Sequence, residues 1–285
     1  DGPRRRSRQS LGHERYDRVY AGRVCRTAVV SRPAMASDFA AARQILQRAV
    51  ADRAFPAATI EVGNSQQPLW REAFGGLTFE PESPRTSGDT VFDLASLTKV
   101  LATTTLVMRQ VERGVLSLDD PVAHHIATWR DEGPVVVTIR DLLSHCGGLP
   151  AHVPFYRDHQ GRAAYESAIV RTPRAYEPRT TSVYSDLGFM LLGFILDVVA
   201  PLATQFDTLR AQMGNVQDLQ FNPPAIWMPR TAPTRLDPWR QRLLIGEVDD
   251  DNAWALGGTA GHAGLFGVVG SVGECARHLL QVLAG

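Results

Sequence analysis

Between Ser96 and Gly114 the sequence reads as a helix with apolar residues on nearly every side: Leu97, Val100, Leu101, Leu106, Val107, Met108 and Val111. A helix without a wet face has to be wrapped by the rest of the chain, so a layered domain with this helix in its middle is expected. One residue conflicts with that setting. Lys99 is the single lysine of the chain, and the other 29 of its 30 basic residues are arginine. An amine sheds its proton when desolvated, whereas a guanidinium effectively never does. A position that has to be a neutral base at some stage of a cycle accepts lysine and not arginine. Ser96 precedes Lys99 by three residues and so shares its helix face, at the first turn, where free N–H groups favour developing negative charge. A serine nucleophile with a lysine partner needs that arrangement. A capping serine beside a lysine that reaches for solvent would share the spacing, but the helix offers no wet side to reach.

The 285 residues suffice for a sizeable core, and 44% hydrophobic with 21% charged residues is ordinary for a globular protein. A formal net charge of zero argues against a general polyanion binder, so no nucleic-acid partner is expected. The longest apolar run, LGFMLLGFILDVVA at 187–200, carries Asp197 and falls short of the ~18 residues a membrane span needs. Cys25, Cys146 and Cys275 are odd in number and lack metal spacing, which predicts reduced thiols. His145, His152 and His159 are separated by Pro150, Pro154 and Gly161, so they read as loop residues rather than a metal site.

Residues 1–34 hold nine arginines without apolar periodicity, and Met35-Ala36-Ser37 resembles a natural start. They are expected to be a disordered leader or upstream sequence, with a basic arm for an acidic partner as the alternative. They lack the apolar core of a secretory signal, which makes the cytoplasm the default expectation.

Ser37 reads as the cap of a helix over 38–53, followed by strands at 57–63 and 68–76. Thr138 and Asp141 form a capping-box pattern before RDLLSH, Asp186 reads as the cap of a helix over 187–199, and Ser271-x-x-Glu274 starts a last helix. Residues 214–250, rich in proline and arginine, read as an irregular surface excursion. No strand after Ser96 stands out.

Four segments occur in one order: FDLASLTKVLATTT (92–105), GVLSLDDPV (114–122), TIRDLLSHCGGLP (138–150) and YSDLGFMLLG (184–193). Together they resemble the serine β-lactamase and penicillin-binding protein superfamily, in particular its class C-related branch of carboxypeptidases, esterases and amidases. The resemblance covers roughly residues 40–283. It implies an α+β fold, an antiparallel sheet flanked by helices with a mainly helical region inserted. The sheet part would lie in 35–95 and the helical part in 96–285. By resemblance Ser96 is the acylated nucleophile, Lys99 its activating base, and Tyr184 the second-box tyrosine that shares the proton traffic. Lysine and tyrosine both ordinarily titrate near pH ~10, so one has to be lowered by burial or neighbouring charge; either could take the serine proton.

Asp186 stands where the family commonly has asparagine. A carboxylate there, unless protonated or paired, disfavours anionic substrates and points toward an ester. His262-Ala263-Gly264 is the one H-x-G candidate for the family's third box, which would make His262 and Gly264 substrate-binding residues together with Asp186. The preferred reading takes GGTAGHAGLFG as the glycine-rich stretch preceding that box, which then would lie beyond Gly285 and leave the sheet short of C-terminal strands. The expected protein is a Ser-Lys-Tyr acyl-transfer hydrolase for a small-molecule or short-peptide substrate (β-lactam, D-Ala-D-Ala peptide or carboxylic ester). It would need no metal or organic cofactor. The alternative is an inactive relative that binds a peptide or cell-wall ligand.

Overall fold

The helix that begins at Ser96 packs against a small antiparallel sheet and a helical core, as a computed structural model describing residues 39–284 shows. The expectations for 1–34, Ser37 and Cys25 lie outside the described residues. Helix α1 (Ala40–Ala51) lies on a hairpin of β1 (Ala57–Gly63) and β2 (Pro68–Gly75), which pair with each other alone among the described residues. Phe39 stacks on Trp70, with ring centroids 5.0 Å apart, and Arg43 pairs with Glu72. At the turn, the Asn64 side-chain oxygen accepts the N–H groups of Gln66 and Gln67, the local bond that makes asparagine a turn former.

The second sheet was not legible in the sequence. Strand β3 (Phe92–Asp93) leads to the Ser96 helix, which comprises a π-helical stretch Lys99–Thr104 and α2 (Thr105–Glu112). The chain then passes through α3 (Val122–His125), α4 (Ile139–Leu143), α5 (Arg162–Val170), α6 (Asp186–Val199) and α7 (Leu202–Gln212). Strand β4 (Leu219–Phe221) follows, then hairpin β5 (Leu236–Asp237) and β6 (Arg242–Leu243), α8 (Asp251–Ala255), β7 (Leu265–Gly267) and α9 (Val269–Ala284). β3, β7 and β4 form one antiparallel sheet in that order. Strands of two or three residues are too short to show alternation. Their effect is large: they bring the 262–267 segment against the start of the Ser96 helix.

Helix α6 is buried from Leu187 to Leu196 and forms the centre of the helical core with Leu106, Leu142, Ile169 and Phe206. The Ser96 helix is less enclosed than its composition predicts. Thr98, Lys99, Leu101, Ala102, Leu106 and Val107 face inward, whereas Leu97, Val100 and Met108 are 48%, 50% and 48% exposed. Its polar residue therefore points into the protein and part of its apolar row points out. The 214–250 excursion is not loose. The Arg240 guanidinium, buried within it, bonds Asp237, Asp251 and the carbonyls of Val248 and Asp249. No single helix among the described residues is long and apolar enough to cross a membrane.

Candidate active site

Ser96 is presented by a strained turn. Where β3 ends, the Asp93 carboxylate accepts the N–H of Ala95 at 2.8 Å and that of Asp249 at 2.7 Å. Ala95 has φ +45°, a left-handed conformation that L side chains adopt at a cost. The turn leaves Ser96 exposed. Among the described residues its N–H meets no acceptor. Burial pushes the Asp93 carboxyl upward, with its two backbone bonds opposing and Asp249 and Asp250 adding to the rise.

Lys99 is 2% exposed and fully bonded. Its Nζ donates to Ser96 Oγ at 3.0 Å and to the His262 carbonyl at 2.9 Å, and it lies 2.8 Å from Asp186 Oδ1. Three acceptors match the three N–H bonds of an ammonium. The wide π-helical stretch begins at this residue, an irregularity that recurs at functional sites.

The rings of Tyr184 and Phe189 cover the amine, with centroids 4.9 and 5.8 Å from Nζ. Tyr184 is 54% exposed, and among the described residues its hydroxyl makes no hydrogen bond, so the ring face and not the phenol oxygen meets Lys99. The His145 ring lies 4.6 Å from that of Tyr184, and its Nδ1 accepts the N–H of Ser185 at 3.0 Å. Burial lowers the His145 pKa, the Lys99 charge lowers it further, and Asp186 pulls the other way.

The cap of α6 is Ser185, whose side chain accepts the Gly188 N–H, and not Asp186 as the sequence suggested. The one-residue difference matters. With the cap filled by serine, Asp186 is free to turn to Lys99, and its second oxygen lies 3.4 Å from His152 Nδ1.

His262 is fully buried. Its ring points to Asp250, Nε2 to Oδ1 at 2.9 Å, while its backbone carbonyl reaches Lys99. Gly264, with φ +116°, allows the chain to pass Gly258; a Cβ there would stand 2.3 Å from the Gly258 carbonyl oxygen. Ser96, Lys99, Tyr184, Asp186 and the His262 backbone thus converge, and Gly264 lies in the turn that carries the last of them. Asp93, His152 and Asp250 were missed by sequence reasoning. For Asp93 a signal existed, an Asx residue two positions before a turn; the other two act over contacts distant in sequence. Among the described residues no cluster of His, Cys, Asp or Glu could hold a metal ion.

The model of the family described as Beta-lactamase matches residues 42–284. A curated relative from Escherichia coli (strain K12), named "Putative D-alanyl-D-alanine carboxypeptidase", is 28% identical over 265 residues, covering 81% of this chain and 61% of its own length. The chain spans about three-fifths of the curated relatives it matches. Among solved structures, an octameric penicillin-binding protein homologue from Pyrococcus abyssi superposes with TM-score 0.70 at 18% identity, covering 86% of this chain and 57% of that one. A class C beta lactamase from Rhodobacter sphaeroides superposes with TM-score 0.66 at 22% identity, covering 82% and 63%. These likenesses show the fold: an α+β arrangement of antiparallel sheet and helices.

Proposed function

The chain belongs to the Beta-lactamase family, and from that membership we propose that it is a serine hydrolase that forms an acyl-enzyme on Ser96. The observation that carries the reading is the Ser96 Oγ–Lys99 Nζ hydrogen bond of 3.0 Å at a buried amine. Ser96 is exposed, and the Lys99 amine lies within hydrogen-bond reach of its hydroxyl. With its ammonium proton released to solvent, Lys99 takes the Ser96 proton as Oγ attacks the carbonyl carbon. The ammonium then returns that proton to the departing alcohol or amine. Water resolves the ester by the reverse traffic, its proton passing to Lys99 and on to Ser96 Oγ as the acid leaves. The Ser96 N–H, without an acceptor of its own, is placed to hold the developing oxyanion. Tyr184 covers the ammonium with its ring and shares in stabilising its charge.

For substrate, a neutral carboxylic ester or amide fits best. Asp186 lies against Lys99; its charge is offset while the amine is an ammonium and left uncompensated once the amine is neutral for attack, which disfavours a substrate carboxylate. A fluorophosphonate probe and p-nitrophenyl acetate, beside a labelled penicillin, test this. The expected result is covalent labelling lost in Ser96→Ala, with ester turnover exceeding penicillin turnover. An unlabelled wild type would overturn the reading in favour of a non-catalytic ligand-binding relative.

A further inference from the structure

The loop that holds Lys99 is stitched to the nucleophile helix at three points. Thr103 Oγ1 donates to the Gly261 carbonyl at 2.6 Å, Lys99 Nζ to the His262 carbonyl at 2.9 Å, and the Leu265 N–H to Thr98 Oγ1 at 3.1 Å. Gly261 also presses against α6, where a Cβ would stand 2.0 Å from the Phe189 carbonyl oxygen. A backbone carbonyl has no side chain to aim it; its direction depends on what anchors the residue. Here the anchor is a buried pair. The His262 ring meets Asp250 Oδ1, the same oxygen that accepts the Ala253 N–H at 2.8 Å as the cap of α8. Among the described residues His262 Nδ1 is buried without a partner, so there Asp250 is the ring's one polar tether.

We propose that Asp250 and His262 are positioning residues for Lys99. Their contact fixes the loop so that the His262 carbonyl holds one N–H of the amine, which aims the remaining bonds at Ser96 and Asp186. This rests on the hydrolase reading, because positioning matters only if Lys99 handles the Ser96 proton. The surrounding charges agree with a tight pair. Burial pushes the Asp250 carboxyl upward, and the adjoining His262 outweighs it, with smaller help from the Ala253 N–H and His152, leaving Asp250 far below the ordinary carboxylate range.

Because Lys99 is the only lysine, 15N-lysine labelling gives a single side-chain ammonium signal, whose proton exchange reports how firmly the amine is held. Asp250→Ser keeps a capping hydroxyl for α8 but is too short to tether His262. His262→Ala keeps the carbonyl and removes the ring. Both are expected to speed ammonium proton exchange and slow fluorophosphonate labelling of Ser96, each about tenfold, the scale of one lost hydrogen bond. Asp250→Asn retains an oxygen for the ring and the cap and should stay near wild type in both. Asp119→Asn, far out on the surface with a side chain 76% exposed, is the control. Wild-type exchange in both Asp250→Ser and His262→Ala would overturn the proposal, and if one fails to fold the other decides it. A wild type never labelled at Ser96 refutes the hydrolase reading instead, and the exchange measurement still tests the tether.

Discussion

A single side chain carries most of the proposed chemistry, and its identity is testable. Lys99→Arg keeps the positive charge but cannot release a proton, so Ser96 labelling should fall by about 10²–10⁴-fold, the usual worth of a general base; labelling at the wild-type rate would remove Lys99 from that role. Asp186→Asn keeps an oxygen for Lys99 and deletes a negative charge. Probes bearing a carboxylate should then gain about tenfold relative to neutral esters, measured as a ratio of labelling rates. Ser96 and Lys99 could be picked from residue type and short spacing, and Tyr184 and Asp186 only through the resemblance of the YSDLGFMLLG segment. The His262 carbonyl could not, since every residue has one. Nor could Asp250, which acts through a contact 12 residues away, or Asp93, whose second oxygen serves a backbone N–H 156 residues on.

Among the elements, several helices were legible and the short strands after Ser96 were not. α1 carries an apolar stripe, α6 a continuous apolar run and α9 a capping pattern near its start, whereas the sequence left the 11-residue α7 unmarked. β3, β4 and β7 owe their existence to partners far along the chain, and only tertiary packing selects them. The end of α4 shows how much local chemistry can settle. Thr138 and Asp141 form the anticipated capping box, and the Asp141 carboxylate additionally takes two bonds from Arg179. Burial pushes Asp141 up, but Arg179 and Thr138 together outweigh it and hold the carboxyl below its ordinary value. Its stabilising share is therefore present above the unfolded-state pKa of ~3.9 and is lost as pH falls through the lower folded value. Asp141→Asn should cost about 1–2 kcal/mol at pH 7, and the difference from wild type should close in denaturant titrations below pH ~4. The close passage of the 257–265 loop over α6 gives a second test. Gly261→Ala collides with a backbone oxygen and should destabilise the protein by about 3 kcal/mol in the same measurement.

At the scale of the whole molecule, the β1–β2 hairpin, with α1 packed on it, is joined to the rest through α9. Arg277 on α9 reaches Glu61 on β1, and both side chains are buried, 8% and 4% exposed. Arg71 holds the other Glu61 oxygen. Arg277→Met should therefore loosen the hairpin more than the core, with β1 and β2 amides exchanging hydrogen faster while those of α6 keep their protection. Equal acceleration in both would mean the hairpin is no separate unit. The buried lone lysine also has a meaning for proteolysis. A lysine-specific endoproteinase finds one cleavable side-chain position in the entire chain, after Lys99, and in the folded state that position lies inside the protein. Each cut therefore records one opening of the molecule around its nucleophile helix, and the fragments 1–99 and 100–285 accumulate in proportion to how often it opens.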